Sequence, residues 1–539
     1  MNVFASKIVA AILAAFVLVA LTCLSAAASQ LPKDHIAGTQ AGISHKNVYE
    51  DTSDENALIY HEVYSESRVQ NDTETGGPGI GMTIEDAVFM ALGNNRALHV
   101  QRLDPQIRAT FIDQERALFD PVLFGQIQAG RERYERPGVD DSFTDTTGGA
   151  EIGISGMLPT GTGYEADLSM YRTTREAFDE IHQTRIGMTV TQALLQGRGV
   201  SVNMAAVHQA TLDTRMSEYE LTGFAQALVA QVESAYWEYV LALQQVDIVE
   251  ESLNLAEQQL AETRQRVRVG NIAETEIAAA RAEVALREEA LINVKSRVDT
   301  LNAMLMRLLG SSRTMTARRD IKPETRPEVP PDPLENLSDH VAVAMRMRPD
   351  LLQAQILRER GDLEIIRTRN GLLPRLDLFV QLGKTGYADS FSGSAKDLDG
   401  DGYDVLAGIQ VSRSVSQLGP KASHRRALLQ REQQDLSVEN MKDLIREDVE
   451  LAYIEVRRTL QLVSATEVTR RFREESLRSE TAKFRVGRST ALLVAQAQRD
   501  LLQSRVAEVE AITNYLNARI NFYLMEGSLL QRRGITHAI

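Results

Sequence analysis

Residues Thr83–Gly130 read TIEDAVFMALGNNRALHVQRLDPQIRATFIDQERALFDPVLFGQIQAG, and Asn336–Gly383 read NLSDHVAVAMRMRPDLLQAQILRERGDLEIIRTRNGLLPRLDLFVQLG. They align without a gap at a shift of 253 residues: Ile84 falls on Leu337, Asp86 on Asp339, Leu98 on Leu351, Pro121 on Pro374 and Gly130 on Gly383. Farther on, Arg268-Val269-Gly270 recurs as Arg485-Val486-Gly487, each time between two long helical patterns. The chain is therefore a duplicated unit of helix, strands, long helix and second helix. Such duplication marks an architecture in which each copy completes what neither can close alone.

The long helices carry the clearest local pattern. Ala225, Val232, Tyr239, Val246, Leu253, Leu260 and Val267 recur every seven residues, with Leu228, Ala235, Ala242, Val249 and Ala256 on the second seam. Sustained heptads of this kind predict a coiled coil, and the small alanines allow close helix approach. The second copy repeats the rhythm through Ile445, Val449, Ala452, Val456, Val463, Leu477 and Phe484, interrupted at Arg470. At ~1.5 Å per residue the stretches 201–267 and 421–484 should each run for ~100 Å, against ~57 Å for 272–309 and ~33 Å for 98–119. The two shorter helices laid end to end about match one long one. Each repeat can thus form a two-column rod with strands at one end and a Val-Gly turn at the other.

Between Pro121 and about residue 192, and again over about 375–412, apolar and polar residues alternate, as in Ile152-Gly153-Ile154 and Leu376-Asp377-Leu378-Phe379-Val380. Period two with one apolar face predicts half-buried strands, either in a membrane barrel or in an ordinary antiparallel sheet. Copy one holds roughly 36 more residues than copy two between its proline and its Val-Gly turn, including the turn signal Leu158-Pro159-Thr160-Gly161-Thr162-Gly163. That surplus fits either an added hairpin or two lengthened strands.

Outside the repeats, residues 1–28 read as a signal peptide: Lys7, an apolar run from Ile8 to Leu24, and the small residues Ala26-Ala27-Ala28. The only cysteine, Cys23, lies inside it, so the mature chain forms no disulfide. A flexible polar extension is expected over 29–81, and the first repeat over 82–310. A Pro-rich linker then spans 311–335, the second repeat 336–527 and a tail 528–539. The net charge of −15 argues against nucleic acid as a partner. Asp397-Leu398-Asp399-Gly400-Asp401 resembles half of a calcium loop, but Gly408 stands where the bidentate acid belongs, and a solvated turn is the expectation. No nucleophile elbow, phosphate loop or metal-spaced histidines are present, so neither an enzyme nor a cofactor is expected.

Several short motifs in fixed order resemble the TolC family of outer-membrane efflux and secretion channels. They are Ala235-Tyr236-Trp237-Glu238, Glu251-Ser252-Leu253, Arg268-Val269-Gly270-Asn271-Ile272-Ala273-Glu274-Thr275-Glu276 and Leu308-Leu309-Gly310 in copy one. Arg348-Pro349-Asp350-Leu351, Leu373-Pro374 and Phe484-Arg485-Val486-Gly487 follow in copy two. The resemblance covers about Met82 to Gly527. It implies a homotrimer whose strands close one β-barrel in the outer membrane lipid, continued by a periplasmic α-helical barrel. It also implies a passive exit duct of a tripartite efflux or type I secretion system, docked to a periplasmic adaptor and an inner-membrane pump of RND, ABC or MFS type. The docking tips would be Val269, Gly270 and Asn271 with Val486, Gly487 and Arg488. The family's gate, an acid on one tip bonded to a base on the other, maps to Glu276 and Arg488, the base being displaced by one position. Leu493 and Gln496 occupy the positions of a family cation-binding acidic ring, so no metal is expected there. The competing readings are a periplasmic adaptor and a structural coiled coil without channel activity.

Overall fold

The computed structural model describes residues 80–135, 142–175, 178–270, 272–310, 321–330, 334 and 336–535. The expected signal peptide, nearly all of the expected extension, and Asn271 lie outside the described residues.

Copy one begins with strand β1 (Ile80–Met82) and helices α1 (Ile84–Asn94), α2 (Arg96–Gln101) and α3 (Leu103–Arg116). Thr83 caps α1 in a reciprocal box: its hydroxyl accepts from the Asp86 amide, and the Asp86 carboxylate accepts from the Thr83 amide. Asn95 then ends α1 and starts α2, its side-chain oxygen accepting from Ala97 and Leu98 and its amide donating to the Leu308 carbonyl. A short polar residue thus breaks one helix, caps the next and pins both to the end of the repeat.

Four strands follow: β2 (Val122–Glu135), β3 (Ser142–Leu158), β4 (Thr162–Arg175) and β5 (Phe178–Ala193). Then come α4 (Ala205–Arg268, 64 residues) and α5 (Thr275–Leu308, 34 residues). After strand β6 (Ile321–Pro323), copy two supplies α6 (Leu337–Met347), α7 (Pro349–Asn370), β7 (Arg375–Ala388), β8 (Tyr403–Ser412), α8 (Leu418–Arg485, 68 residues), α9 (Ala491–Glu526, 36 residues) and a one-turn α10 (Leu529–Arg532). The surplus in copy one is therefore an added hairpin, β3–β4, and not a lengthened pair. Its turn is the signal at 158–163, where Gly161 adopts φ +87 and donates to the Leu158 carbonyl.

All six long strands form one antiparallel sheet in the order β2-β3-β4-β5-β7-β8. The register sorts side chains into two unlike faces. Leu123, Ile154, Ala166, Met188, Leu382 and Val405 lie in one cross-strand row, and Ile152, Leu168, Ile186, Lys384 and Tyr403 in the row beside it. The opposite face carries Gln126, Glu151, Ser169, Arg185 and Thr385 in one row and Asp167 and Asp404 in another.

The core lies where helices of both copies meet. Leu228, Val232, Tyr236 and Tyr239 of α4 pack with Leu305, Leu351, Ile445, Val449, Phe522 and Leu529 in one buried cluster. Seams predicted from the heptads are buried here and thin toward the turns, where Val246, Leu253 and Val267 are only half-buried. Arg470, the interruption in the second seam, is bonded to both Glu474 and Glu508 and so ties α8 to α9.

The connectors carry structure of their own: β1 and β6 pair in parallel, Ile80 opposite Ile321 and Met82 opposite Pro323. Buried tyrosines hold the pair: Tyr236 donates to the Met82 carbonyl and accepts from the Thr325 amide, and Tyr239 donates to the Ile321 carbonyl. Residues 528–535, the described part of the tail, are packed against the helices. Leu529, Leu530 and Ile535 are buried, and Arg533 makes two bonds, 2.6 and 2.7 Å, to the buried carboxylate of Glu233.

Candidate functional site

Two regions carry the chemistry that an exit duct would need: the sheet and the helix-turn ends. The sheet's apolar face is open to the surroundings, with Leu123, Ile127, Ile186, Val405, Ile409 and Val411 all exposed. Its polar face is built for water. Arg185 reaches across Gly383 to pair with Asp404, Nη2 to Oδ2 at 2.8 Å, and Tyr171 donates to Glu151 at 3.2 Å. Among the described residues, the outer strands β2 and β8 have no neighbour on their far sides. A six-stranded sheet with one apolar face and two bare edges is unfinished as a single chain.

The loop 389–402, between β7 and β8, contains the aspartates that resembled a calcium loop. Asp397 is engaged otherwise, since its Oδ2 accepts from the Tyr387 amide at 2.9 Å, and Asp397–Asp399 form a 3-10 turn. Among the described residues no cluster of three or more His, Cys, Asp or Glu could hold a metal ion. The loop's short helix (Phe391–Lys396) packs onto the strands through an edge-on contact of Phe391 with His182, centroids 4.3 Å apart, and a Thr184–Ser394 hydroxyl bond of 2.7 Å.

At the other end, Gly270 (φ +80) and Gly487 (φ +73) terminate α4 and α8 in the left-handed conformation that glycine tolerates. Val269 and Val486 beside them are 63% and 69% exposed. Arg488 donates its amide to the Lys483 carbonyl, closing the second turn. Among the described residues, no ion pair joins Glu276 to Arg488. The turns are joined instead by a contact that the motifs did not foretell. Arg266 of α4 donates to the Phe484 carbonyl at 3.3 Å and lies over the Phe484 ring at 4.4 Å, so the ends of the two hairpins touch. A lone arginine two residues before the Arg-Val-Gly motif carries no pattern that announces this. Ser489, which stands where the family base is expected, accepts no such role here and donates to Glu480. Leu493 is 47% exposed beside it.

Above the turns, Arg505–Glu251 at 2.9 Å joins the two hairpins, α9 to α4, while Lys295–Glu250 at 2.8 Å ties α5 to α4 and Arg473–Asp500 at 2.8 Å ties α8 to α9 within each hairpin. Where α7 begins, the Arg348-Pro349-Asp350 motif ties three helices together. Arg348 bonds to Asp350, to Asp448 of α8 and to the Met525 carbonyl of α9.

The family model described as outer membrane efflux protein matches residues 88–311 and 342–528, which takes in both copies and both turns. The chain belongs to the outer membrane efflux protein family. Among curated relatives it is similar to the proteases secretion protein PrtF of Dickeya chrysanthemi, 22% identical over 400 residues covering 70% of this chain and 82% of PrtF. It is also similar to the outer membrane efflux protein BepC of Brucella suis biovar 1, 22% identical over 438 residues covering 81% and 83%. Its fold matches the solved outer-membrane channel OprN with a TM-score of 0.63 at 17% identity, over 82% of this chain and 89% of that one. The TolC-like channel fold expected from the motifs is therefore the observed one, as are its place in the outer membrane and its role as a passive efflux or secretion duct, not an enzyme. In that setting the apolar face of the sheet meets lipid and the polar face lines the passage. Among the described residues no helix is long and apolar enough to cross a membrane. Efflux and secretion ducts of this family work in tripartite assemblies with an adaptor and a pump.

Proposed function

We propose that three copies of this chain form one outer-membrane channel, the exit of an efflux or type I secretion machine. Its tips, Val269-Gly270-Asn271 and Val486-Gly487-Arg488, would seat on a periplasmic adaptor that leads to an inner-membrane pump of RND, ABC or MFS type. The observation that carries this reading is the amphipathic six-stranded sheet with two bare edges. In lipid every edge amide must find a partner, and six strands are too few to close, so β8 must pair with β2 of another copy. The helices support the same reading. Leu103, Ile107 and Phe111 expose an apolar stripe on α3, while Leu429, Leu436 and Leu451 expose an unlike one on α8. Two different stripes on one protomer make a head-to-tail contact that closes as a ring. In such a ring Glu276 and Arg488, unpaired with each other in one protomer, would meet as a gate between neighbouring tips.

The test is reconstitution of the purified mature protein in planar bilayers, with mass measurement of the inserted species. Trimers with stepwise conductance are expected. Folded monomers that stay silent would overturn the proposal. Exchanging Gly270 and Gly487 for bulky residues should abolish export while leaving the barrel inserted, and unaffected export would show that the adaptor docks elsewhere.

A further inference from the structure

The added hairpin changes what the exit can pass. One hairpin per copy, which the duplication alone predicts, gives four strands per protomer and twelve in a trimer. The sheet has six, because β3–β4 is spliced between β2 and β5, the strands that correspond to β7 and β8. Both strands of the hairpin are paired on both sides, and 14 to 17 residues is ample for crossing the hydrocarbon, so it belongs to the wall and not to a loop or plug. Resting on the trimer reading above, we infer that this protein closes an eighteen-stranded barrel whose bore admits cargo as bulky as a partly folded polypeptide.

Magnitudes separate the two widths. With strands ~4.8 Å apart and tilted by ~40°, eighteen strands close at a backbone diameter of ~36 Å, and twelve at ~24 Å. Subtracting a side-chain layer of ~5 Å on each wall leaves ~25 Å against ~14 Å. One helix is ~10–12 Å across, so the narrower bore would pass a single helix and the wider one a helical hairpin.

The lining points the same way. Of the seven glycines on the lumen face, five lie beneath neighbouring side chains: Gly149, Gly153, Gly187, Gly383 and Gly408. Each is covered by a neighbour lying flat along the wall: Tyr171 on Gly149, Phe124 on Gly153, Asp167 on Gly187, Arg185 and Asp404 on Gly383, and Phe379 on Gly408. Side chains folded down onto glycines thin the lining and keep the bore near its backbone limit. The charges and glutamines of this face keep it wet, which suits hydrated cargo.

The experiment uses the full mature protein in nanodiscs and planar bilayers. Imaging down the pore axis should count eighteen strands. Polyethylene glycols presented from the outer side, of hydrodynamic diameter up to ~25 Å, should enter and reduce conductance. A variant lacking residues 142–175, which joins β2 to β5, should show twelve strands and exclude polymers above ~14 Å. Twelve strands in the wild-type trimer, or an exclusion limit near ~14 Å for it, would overturn the width inference while leaving the channel intact. Failure of the wild type to form conducting trimers would instead overturn the channel reading beneath it. If the deletion does not insert, the wild-type strand count and exclusion limit decide alone.

Discussion

Arg533→Ala should uncouple the C-terminal turn from the body of the protomer. Glu233 sits inside α4 with its side chain 1% exposed, and Arg533 supplies both of its bonds, at 2.6 and 2.7 Å. Burial pushes the Glu233 carboxyl above its ordinary range, and the Arg533 hydrogen bonds and charge pull it back only in part. Removing one partner of a buried pair costs ~3–5 kcal/mol, because the remaining charge is stranded. Arg533 is 37% exposed, so water can follow the truncated side chain and the loss should fall near ~3 kcal/mol. The sign with pH is fixed by the raised carboxyl. Its folded-state pKa exceeds the unfolded value, so protonation favours the fold, and stability is gained as pH falls through the folded pKa. In the variant that relief begins at higher pH, so the defect is largest near pH 8 and shrinks on acidification. The assay is hydrogen exchange at residues 527–535 together with thermal unfolding at pH 8 and pH 6. A second change, Glu233→Gln, should restore most of the loss, since a neutral amide strands no charge. A single variant within ~0.5 kcal/mol of wild type at pH 8, or a defect insensitive to pH, would refute the reasoning.

Tyr236→Phe removes a hydroxyl that serves both the Met82 carbonyl and the Thr325 amide, whereas Tyr239→Phe deletes the bond to the Ile321 carbonyl. Exchange at residues 82–84 and 321–325 should therefore speed up more in the first variant, whose stability cost is ~1–3 kcal/mol. For Asp350, burial is the largest influence and pushes its pKa up, but the Arg348 bonds and charge and the Leu351 amide outweigh it and hold the carboxyl below its ordinary range. Its contribution is thus present above the unfolded value and lost as pH falls through the folded one, so Asp350→Asn should lower Tm at pH 7 and lose that deficit in strong acid. Arg266→Ala deletes the carbonyl bond and the ring contact at Phe484. It should cost ~1 kcal/mol locally and raise exchange at residues 482–488 without altering barrel insertion.

The order of elements was readable in the chain because periodic patterns encode it directly. Heptads from Ala225 onward gave α4, the repeated Arg-Val-Gly gave the turns, and alternation around Ile152 and Leu378 gave strands. The added hairpin was half-legible: the turn at 158–163 was visible, but which strands pair is a property of the sheet and not of any one segment. Contacts between distant positions were not legible at all. Glu233 reads as a charged residue on a heptad helix, yet its partner lies 300 residues away. The β1–β6 pair escaped for a different reason, since three residues are too few to show alternation. Arg266 likewise looks like any tip arginine until Phe484 is placed beneath it.

The hairpin also restricts how this kind of passage can vary between relatives. Because β2 and β8 are the free edges, a ring closes in antiparallel fashion only if they run in opposite directions, which an even number of strands per chain guarantees. A lone inserted strand would reverse one edge and leave the seam mismatched. Viable insertions are therefore hairpins, and three-fold symmetry multiplies each one by three. Bore size can then change only in steps of six strands, so calibre in a lineage built on this plan should jump between discrete gauges and not drift.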